Sequence, residues 1–397
     1  MSKYTVYGDY FPKILENFTN SENSSSITTT ISDSTIRIEA SINESAPLNN
    51  SSYVPFKVKL TFTSSPVIMQ NLNWQCVASN NDGTKLVACA TDRNIYKSDN
   101  SGITWNNISG PTKIDNPTKI DNPADVNFIF IRCDSTGNIL FLASMLYIWT
   151  SNNRGLTWTN ISKINMTNPI RSLSISNNAT QLIIGTGNNG IVYNYNINNS
   201  TLTQSYLNQS SSTLSPSSPS SSSPPLLPTN EYNASIMSNN SSFITTWSNN
   251  NNNSIYTSSD NGISWNIITL NLDENRITNG YPSVILMGSN SLSTNNDGTI
   301  LYYANGMNSL KYNNRIWSSL TITCNIIITN KTGKNVIALN SNSTILYISK
   351  DTGNNWIQYK LPQQFISTNY TSIACDSTFT KFIICGQNQL FTFTLQI

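Results

Sequence analysis

Short runs of β-branched and aromatic residues alternate along most of the chain with clusters of Asn, Asp, Gly, Ser and Thr. Trp74-Gln-Cys-Val-Ala-Ser leads into Asn80-Asn-Asp-Gly-Thr, then Lys85-Leu-Val-Ala-Cys-Ala, then Asn94-Ile-Tyr-Lys-Ser. Apolar runs of this length bounded by turn residues predict strands, and an Asp-Gly pair between two of them predicts a hairpin. Strong helix formers are scarce, while Ile, Thr and Val are common, which also favours strands.

The pattern recurs. Further copies start at Phe128, near Ile170, and near Tyr232, Val284, Asn325 and Tyr370. Their first turns are Asp134-Ser-Thr-Gly, Asn177-Asn-Ala-Thr, Asn239-Asn-Ser-Ser, Asn295-Asn-Asp-Gly-Thr, Asn330-Lys-Thr-Gly and Asp376-Ser-Thr. Copy starts lie roughly 40 to 60 residues apart, the size of a four-stranded propeller blade with variable loops. Repeats of this kind predict an all-β, seven-bladed β-propeller of four-stranded antiparallel blades.

A second turn in the repeat is more specific. It reads Ser98-Asp-Asn-Ser-Gly-Ile-Thr-Trp105, Ser151-Asn-Asn-Arg-Gly-Leu-Thr-Trp158, Ser258-Ser-Asp-Asn-Gly-Ile-Ser-Trp265 and Ser349-Lys-Asp-Thr-Gly-Asn-Asn-Trp356. Asp260 and Asp351 suit a turn because a carboxylate accepts backbone N–H bonds, and Asn100 and Asn153 can stand in for them. Gly102, Gly155, Gly262 and Gly353 permit positive φ. Ser98, Ser151, Ser258 and Ser349 offer a hydroxyl that closes the turn. Trp105, Trp158, Trp265 and Trp356 start the outer strand and bury a large ring.

These turns resemble the Asp-box, or BNR repeat, Ser-x-Asp-x-Gly-x-Thr-Trp, of the sialidase-like and sortilin-like propellers. The resemblance runs from about Trp74 to the end of the chain. It departs from the pattern at Asn100, Asn153 and Asn355, in a third copy around Asn194 to Thr201 without Gly and Trp, and in a fifth, Tyr312-Asn-Asn-Arg-Ile-Trp317, that keeps only the Trp. The resemblance implies a structural role for these residues. It also raises a glycosidase; a sialidase-like site would need an arginine cluster, a Tyr–Glu nucleophile pair and an acidic proton donor. The chain has seven arginines, Arg37, Arg93, Arg132, Arg154, Arg171, Arg276 and Arg315, and no Arg-Ile-Pro segment. Glu231 and Glu274 fall in connections between blades, and nothing in the sequence pairs Asp92, Asp125, Asp273 and Asp297 as glycosidases require. Asp82 and Asp297 read as hairpin-turn residues. No catalytic residue is assigned.

The seventh copy stops after its third strand, at Leu390 to Ile397. Val54-Pro-Phe-Lys-Val-Lys-Leu-Thr-Phe62 alternates apolar and polar residues and is expected to supply the missing outer strand, closing the ring without an open edge. The chain then divides into an N-terminal arm, 1–52, partly β through Ile36, Ile38, Ala40 and Ile42, and the propeller, 53–397. A Ser/Pro-rich insertion, 209–229, reads as a surface segment between blades, with a docking peptide as the alternative.

Composition narrows the chemistry. The 397 residues include no His, so imidazole acid–base chemistry and His-ligated metals are excluded. The six cysteines form no CxxC pair and read as buried thiols, with one or more bridges as the alternative; Cys76 and Cys89 are set symmetrically about a hairpin turn. No cofactor and no metal is expected. A net charge of +2 gives no footprint for nucleic acid. The start of the chain has no apolar core of a signal peptide, and the most apolar run, Ile139 to Trp149, is about half the ~20 residues of a membrane span. Trp149, Trp247, Phe128 and Phe130 fall in strands and are expected in the core. The Asn- and Ser-rich composition resembles proteins of protists and their large DNA viruses. Together these features lead to the expectation of a non-enzymatic structural or interaction protein in a large particle such as a giant-virus virion. It would bind other proteins through residues 1–52 and propeller-face loops. A carbohydrate-binding module or degenerate sialidase-like glycosidase is the alternative, and an intracellular, cytoplasmic assembly scaffold the third.

Overall fold

The computed structural model describes residues 24–32, 35–42, 58–64, 69, 72–91, 93–111, 127–161, 168–187, 191–206, 232–237, 243–248, 254–260, 262–269, 291–306, 309–340, 344–361 and 369–396. Within them the regular elements are all β-strands. Two lie in the N-terminal arm, β1 (Ser24–Ser32) and β2 (Thr35–Ile42), and β3 (Val58–Ser64) precedes the first repeat. Blade 1 holds β4 (Trp74–Ser79), β5 (Leu86–Ala90), β6 (Ile95–Ser98) and β7 (Asn106–Ile108). Blade 2 holds β8 (Phe130–Cys133), β9 (Leu140–Ala143), β10 (Ile148–Ser151) and β11 (Thr159–Asn160). Blade 3 holds β12 (Ile170–Ile175), β13 (Gln181–Thr186), β14 (Ile191–Asn196) and β15 (Thr201–Tyr206). Blade 4 holds β16 (Tyr232–Met237), β17 (Ile244–Ser248), β18 (Ser254–Ser258) and β19 (Asn266–Thr269). Blade 5 holds β20 (Ser291–Thr294), β21 (Ile300–Ala304), β22 (Ser309–Asn313) and β23 (Ile316–Ser319). Blade 6 holds β24 (Ile326–Thr329), β25 (Val336–Leu339), β26 (Ile345–Ser349) and β27 (Ile357–Lys360). The chain ends in β28 (Tyr370–Cys375), β29 (Lys381–Gly386) and β30 (Gln389–Gln396).

Each blade is an antiparallel meander whose strands pair in chain order. The first strands of successive sheets touch around a ring, β4 to β8, β12, β16, β20, β24 and β28, and β28 returns to β4. Burial explains the sequence pattern. The second strands β5, β9 and β25, Leu-Val-Ala-Cys-Ala, Leu-Phe-Leu-Ala and Val-Ile-Ala-Leu, are buried at every position because neighbouring blades cover both faces. The outer strand β27 alternates, with Ile357 and Tyr359 buried and Gln358 and Lys360 exposed. Trp149 and Phe128 are both 1% exposed and meet edge to face at 6.0 Å. Phe130 packs half-buried against the same cluster. The side chain of Trp247 lies outside the described residues.

The expected count of seven four-stranded blades is corrected to six. The seventh repeat belongs to a six-stranded sheet with the order β1-β2-β3-β30-β29-β28. The closing strand is the cause: β3 pairs with β30 from Lys59–Gln396 to Ser64–Phe391, and its far edge then accepts β2 from Arg37–Thr63 to Ile42–Val58. Leu60 and Phe62 of β3 are fully buried, and Phe62 stacks on Phe393 at 5.5 Å and on Tyr359 of blade 6 at 5.6 Å. The division at residue 52 is therefore crossed by a sheet. Residues 1–23 of the arm and the 209–229 insertion lie outside the described residues.

Candidate interaction face

In an up-and-down blade the turn between strands one and two (the inner turn) and that between strands three and four (the outer turn) emerge at the same end. The two are tied together. Ser101 N–H donates to the Thr84 carbonyl in blade 1 at 2.9 Å, Arg154 N–H to Asn138 in blade 2 at 3.0 Å, and Thr352 N–H to Lys334 in blade 6 at 2.8 Å.

Among the described residues, the first residue of each inner turn is a short polar acceptor. Oδ1 of Asn80, Asp134, Asn295, Asn330 and Asp376 accepts the N–H five residues on, at 3.0, 3.0, 3.1, 3.1 and 3.0 Å. Ser176 Oγ does the same for Gln181 at 3.0 Å. Inner turns also bond to one another around the ring. Ser377 N–H donates to Asn81, Asn81 N–H to Ser135, and Ser135 N–H to Asn177, at 2.8, 3.0 and 2.7 Å; Asn296 N–H donates to Lys331 at 2.9 Å. The sequence pattern showed the turn clusters but not this belt. The repeated Asn, Asp or Ser that opens each cluster was the available signal.

The four outer turns share one hydrogen-bond scheme. The hydroxyls of Ser98, Ser151, Ser258 and Ser349, at most 2% exposed, accept the N–H of Gly102, Gly155, Gly262 and Gly353 at 2.9, 2.8, 2.7 and 2.9 Å. They donate to Oδ1 of Asn100, Asn153, Asp260 and Asp351 at 3.0, 2.9, 2.8 and 2.9 Å. The same Oδ1 accepts the N–H of Thr104, Thr157, Ser264 and Asn355 at 2.8, 2.9, 2.9 and 2.9 Å. The glycines have φ of +88°, +82°, +81° and +76°, where a Cβ is strained. Indole N–H groups of Trp105, Trp265 and Trp356 return to the carbonyls of Gly102, Gly262 and Gly353 at 3.0, 3.1 and 3.0 Å, while that of Trp158 reaches Ser109 of blade 1 at 3.0 Å.

The amide-for-acid departures have a local explanation. Asn100 and Asn153 donate through Nδ2 to the hydroxyls of Thr104 and Thr157, both at 2.8 Å. Asp260 instead accepts from the Ser264 hydroxyl at 2.5 Å, and Asp351 from the Asn355 amide at 2.6 Å. A hydroxyl serves either as donor or as acceptor, so Asn with Thr and Asp with Ser close the same turn. The bonds from Ser264 hold the Asp260 carboxyl at about 2. For Asp351, burial pushes the carboxyl up, but bonds from Asn355 and Ser349 outweigh it and the net shift is downward.

Of the other expected positions, Asp82 and Asp297 accept the N–H and hydroxyl of Thr84 and Thr299, which lowers both carboxyls. Asp92, Asp125, Asp273, Glu231, Glu274 and Arg276 lie outside the described residues. Arg132 donates to the carbonyls of Leu173 and Ile131 at 3.0 and 2.9 Å and to Cys76 Sγ at 2.7 Å, linking blades 1, 2 and 3. Arg154 ties blade 2 to the Ser98 carbonyl at 3.3 Å and to Asp99 at 2.9 Å. All six cysteines carry free thiols, and Cys76 pairs in register with Cys89.

Beside exposed polar residues such as Asp99, Asn100 and Thr104, the outer turns also leave large aliphatic side chains in solvent. Ile103, Leu156 and Ile263 are 57%, 74% and 86% exposed, each directly after the turn glycine. Ile316, at 68%, starts β23 in the same connection of blade 5, where Asn314 and Arg315 form a tight turn with φ of +51° and +65°. These four are the exposed large hydrophobic residues among those described. The buried serine hydroxyls bond within the turns, and the apolar tips stand in solvent among exposed polar neighbours at one end of four blades.

Compared with protein-family models and with curated proteins, the chain matches none. Among the described residues no helix is long and apolar enough to cross a membrane, and no group of three or more acidic or thiol side chains is placed to hold a metal ion.

Proposed function

We propose that this protein is a non-enzymatic binding platform of the Asp-box propeller type, docking through its outer-turn face onto other proteins of a large particle. The setting that its composition favours is a giant-virus virion. The observation that carries the reading is the set of four aliphatic tips, Ile103, Leu156, Ile263 and Ile316, each exposed on the same connection of its blade. Full burial of one such side chain contributes about 1.5–3 kcal/mol. Several tips on a rigid ring therefore give a multivalent contact in which each one alone is weak. Inner-turn hydrogen bonds hold blades 1, 2 and 3 in fixed relation and likewise blades 5 and 6, which lowers the ordering cost of binding there.

The test is re-binding to particles prepared from the source. Wild-type protein is expected to co-sediment with them, and the combined variant Ile103→Ser, Leu156→Ser, Ile263→Ser is expected to stay in the supernatant while keeping its thermal stability. Equal co-sedimentation of both would refute this use of the face. Particle binding that free glycans abolish would instead favour the carbohydrate-binding reading.

A further inference from the structure

The propeller closes at β3, yet two more strands are laid on that closed blade, and the outermost of them ends the sheet. Among the described residues no strand pairs with the outer edge of β1. That edge, unpaired among the described residues, is nine residues long. Natural edges of that length are ordinarily protected by Lys, Pro or a bulge. Ser24–Ser32, Ser-Ser-Ser-Ile-Thr-Thr-Thr-Ile-Ser, has no charge and no proline. The one register irregularity with β2 falls at Ser24/Ser26; from Ser26–Ser41 to Ser32–Thr35 the ladder is regular.

The regular part is also a palindrome. Ser26-Ile27-Thr28-Thr29-Thr30-Ile31-Ser32 reads the same in both directions. An antiparallel partner reverses chain direction. A second copy placed with its two-fold axis at Thr29 therefore sets every residue opposite its own kind. Ile27 falls opposite the partner's Ile31, Thr28 opposite the partner's Thr30, and Ser26 opposite the partner's Ser32. An antiparallel two-fold pair is isologous whatever its sequence; the palindrome makes each directly opposed pair identical, and β-branched pairs opposite one another are favourable cross-strand neighbours. The register across the sheet leads to the same edge. Ile27 follows Ala40, Leu60 and Leu395 in one row, and Thr29 follows Ile38, Phe62 and Phe393 in the next. Rows that begin in the propeller core thus run out to β1 and stop.

We infer that the β1 edge is a homodimerisation site: two copies pair antiparallel through residues 26–32 about Thr29, joining their six-stranded sheets into one of twelve strands. This does not depend on what the outer-turn face binds.

The axis residue makes the test specific, because Thr29 falls opposite the partner's Thr29. Thr29→Lys and Thr29→Glu each bring two like charges together in a symmetric dimer, which is destabilising in a cross-strand pair. Sedimentation velocity on the full chain is expected to show wild-type protein at twice the 43.9 kDa chain mass in the micromolar range. Each variant alone is expected to dissociate at a concentration at least about tenfold higher, a change of 1.4 kcal/mol. An equimolar mixture of the two variants is expected to recover the double mass, which loss of hairpin folding could not produce. A wild-type monomer at 100 µM would overturn the inference. So would a dimer that both variants leave intact, or a mixture that stays monomeric.

Discussion

Removing one hydroxyl, Ser98→Ala, probes the turn scheme on which the outer face rests. The side chain is fully buried and makes three bonds. It accepts from Gly102 N–H at 2.9 Å and Asn100 N–H at 3.3 Å, and donates to Asn100 Oδ1 at 3.0 Å. Alanine leaves the buried Gly102 N–H without its acceptor, which costs about 1–3 kcal/mol. The donated bond adds about 0.5–1.5 kcal/mol. The Asn100 N–H is long and near solvent, and water replaces its partner at little cost. The expected loss is about 2–4 kcal/mol, near the upper part of the usual range for single substitutions. The control is Thr104→Ala, which removes only an exposed acceptor of Asn100 Nδ2 at 2.8 Å and should cost below about 1 kcal/mol. Equilibrium urea unfolding, followed by tryptophan fluorescence and circular dichroism with coincident transitions, reads both values. A loss under about 0.5 kcal/mol for Ser98→Ala with an unchanged m-value would refute the claim that the serine holds the turn.

Three further outcomes follow from the same geometry. Gly155→Ala should destabilise by about 1–3 kcal/mol in the same urea assay, since φ is +82° and a Cβ would lie 2.3 Å from Ile108 Cδ1 of blade 1; a neutral result would mean the turn can re-form with negative φ. Asp260 has its carboxyl held at about 2, below the ordinary 3.8, so its contribution is complete above about pH 4 and is lost as pH falls toward 2. Asp260→Asn should match wild type at pH 7, where its amide can donate to Ser264, and should show a shallower fall in melting temperature across that window; an identical fall would contradict the assignment. Cys89, Cys324 and Cys385 are fully buried and burial pushes their thiols up, that of Cys324 to about 11. An aromatic disulfide reagent at pH 8 should label these three only after denaturation, and rapid labelling of the native protein would show that the core opens.

Much of the architecture was legible because the repeat writes its local chemistry into residue type. A glycine is needed where φ is positive, a serine where a buried N–H needs an acceptor, and Asn or Asp where one oxygen must take two donors. These demands recur at Ser98, Ser151, Ser258 and Ser349 with the same spacing. The closing strand was legible too, from the alternation at Val54–Phe62 beside an incomplete last repeat; Val58–Phe62 lies in β3 and residues 54–57 lie outside the described residues. The β1–β2 addition was not. The alternation of Ile36, Ile38, Ala40 and Ile42 marks a strand, but only non-local pairing along β3 reveals where β1 and β2 belong, which also alters the count of four-stranded blades. The aliphatic tips were hidden for a related reason. Ile103 and Leu156 look like core residues in sequence, and exposure appears only once the turn bonds fix which side chains point inward.

The central claim is that this propeller works as part of a larger particle. Its most direct test is sedimentation of the native protein from its source, with mass spectrometry of each fraction. Recovery at fixed stoichiometry with the same partner proteins in fast-sedimenting material is expected. Recovery only as a free species, at the mass of one chain or of its dimer, would contradict it.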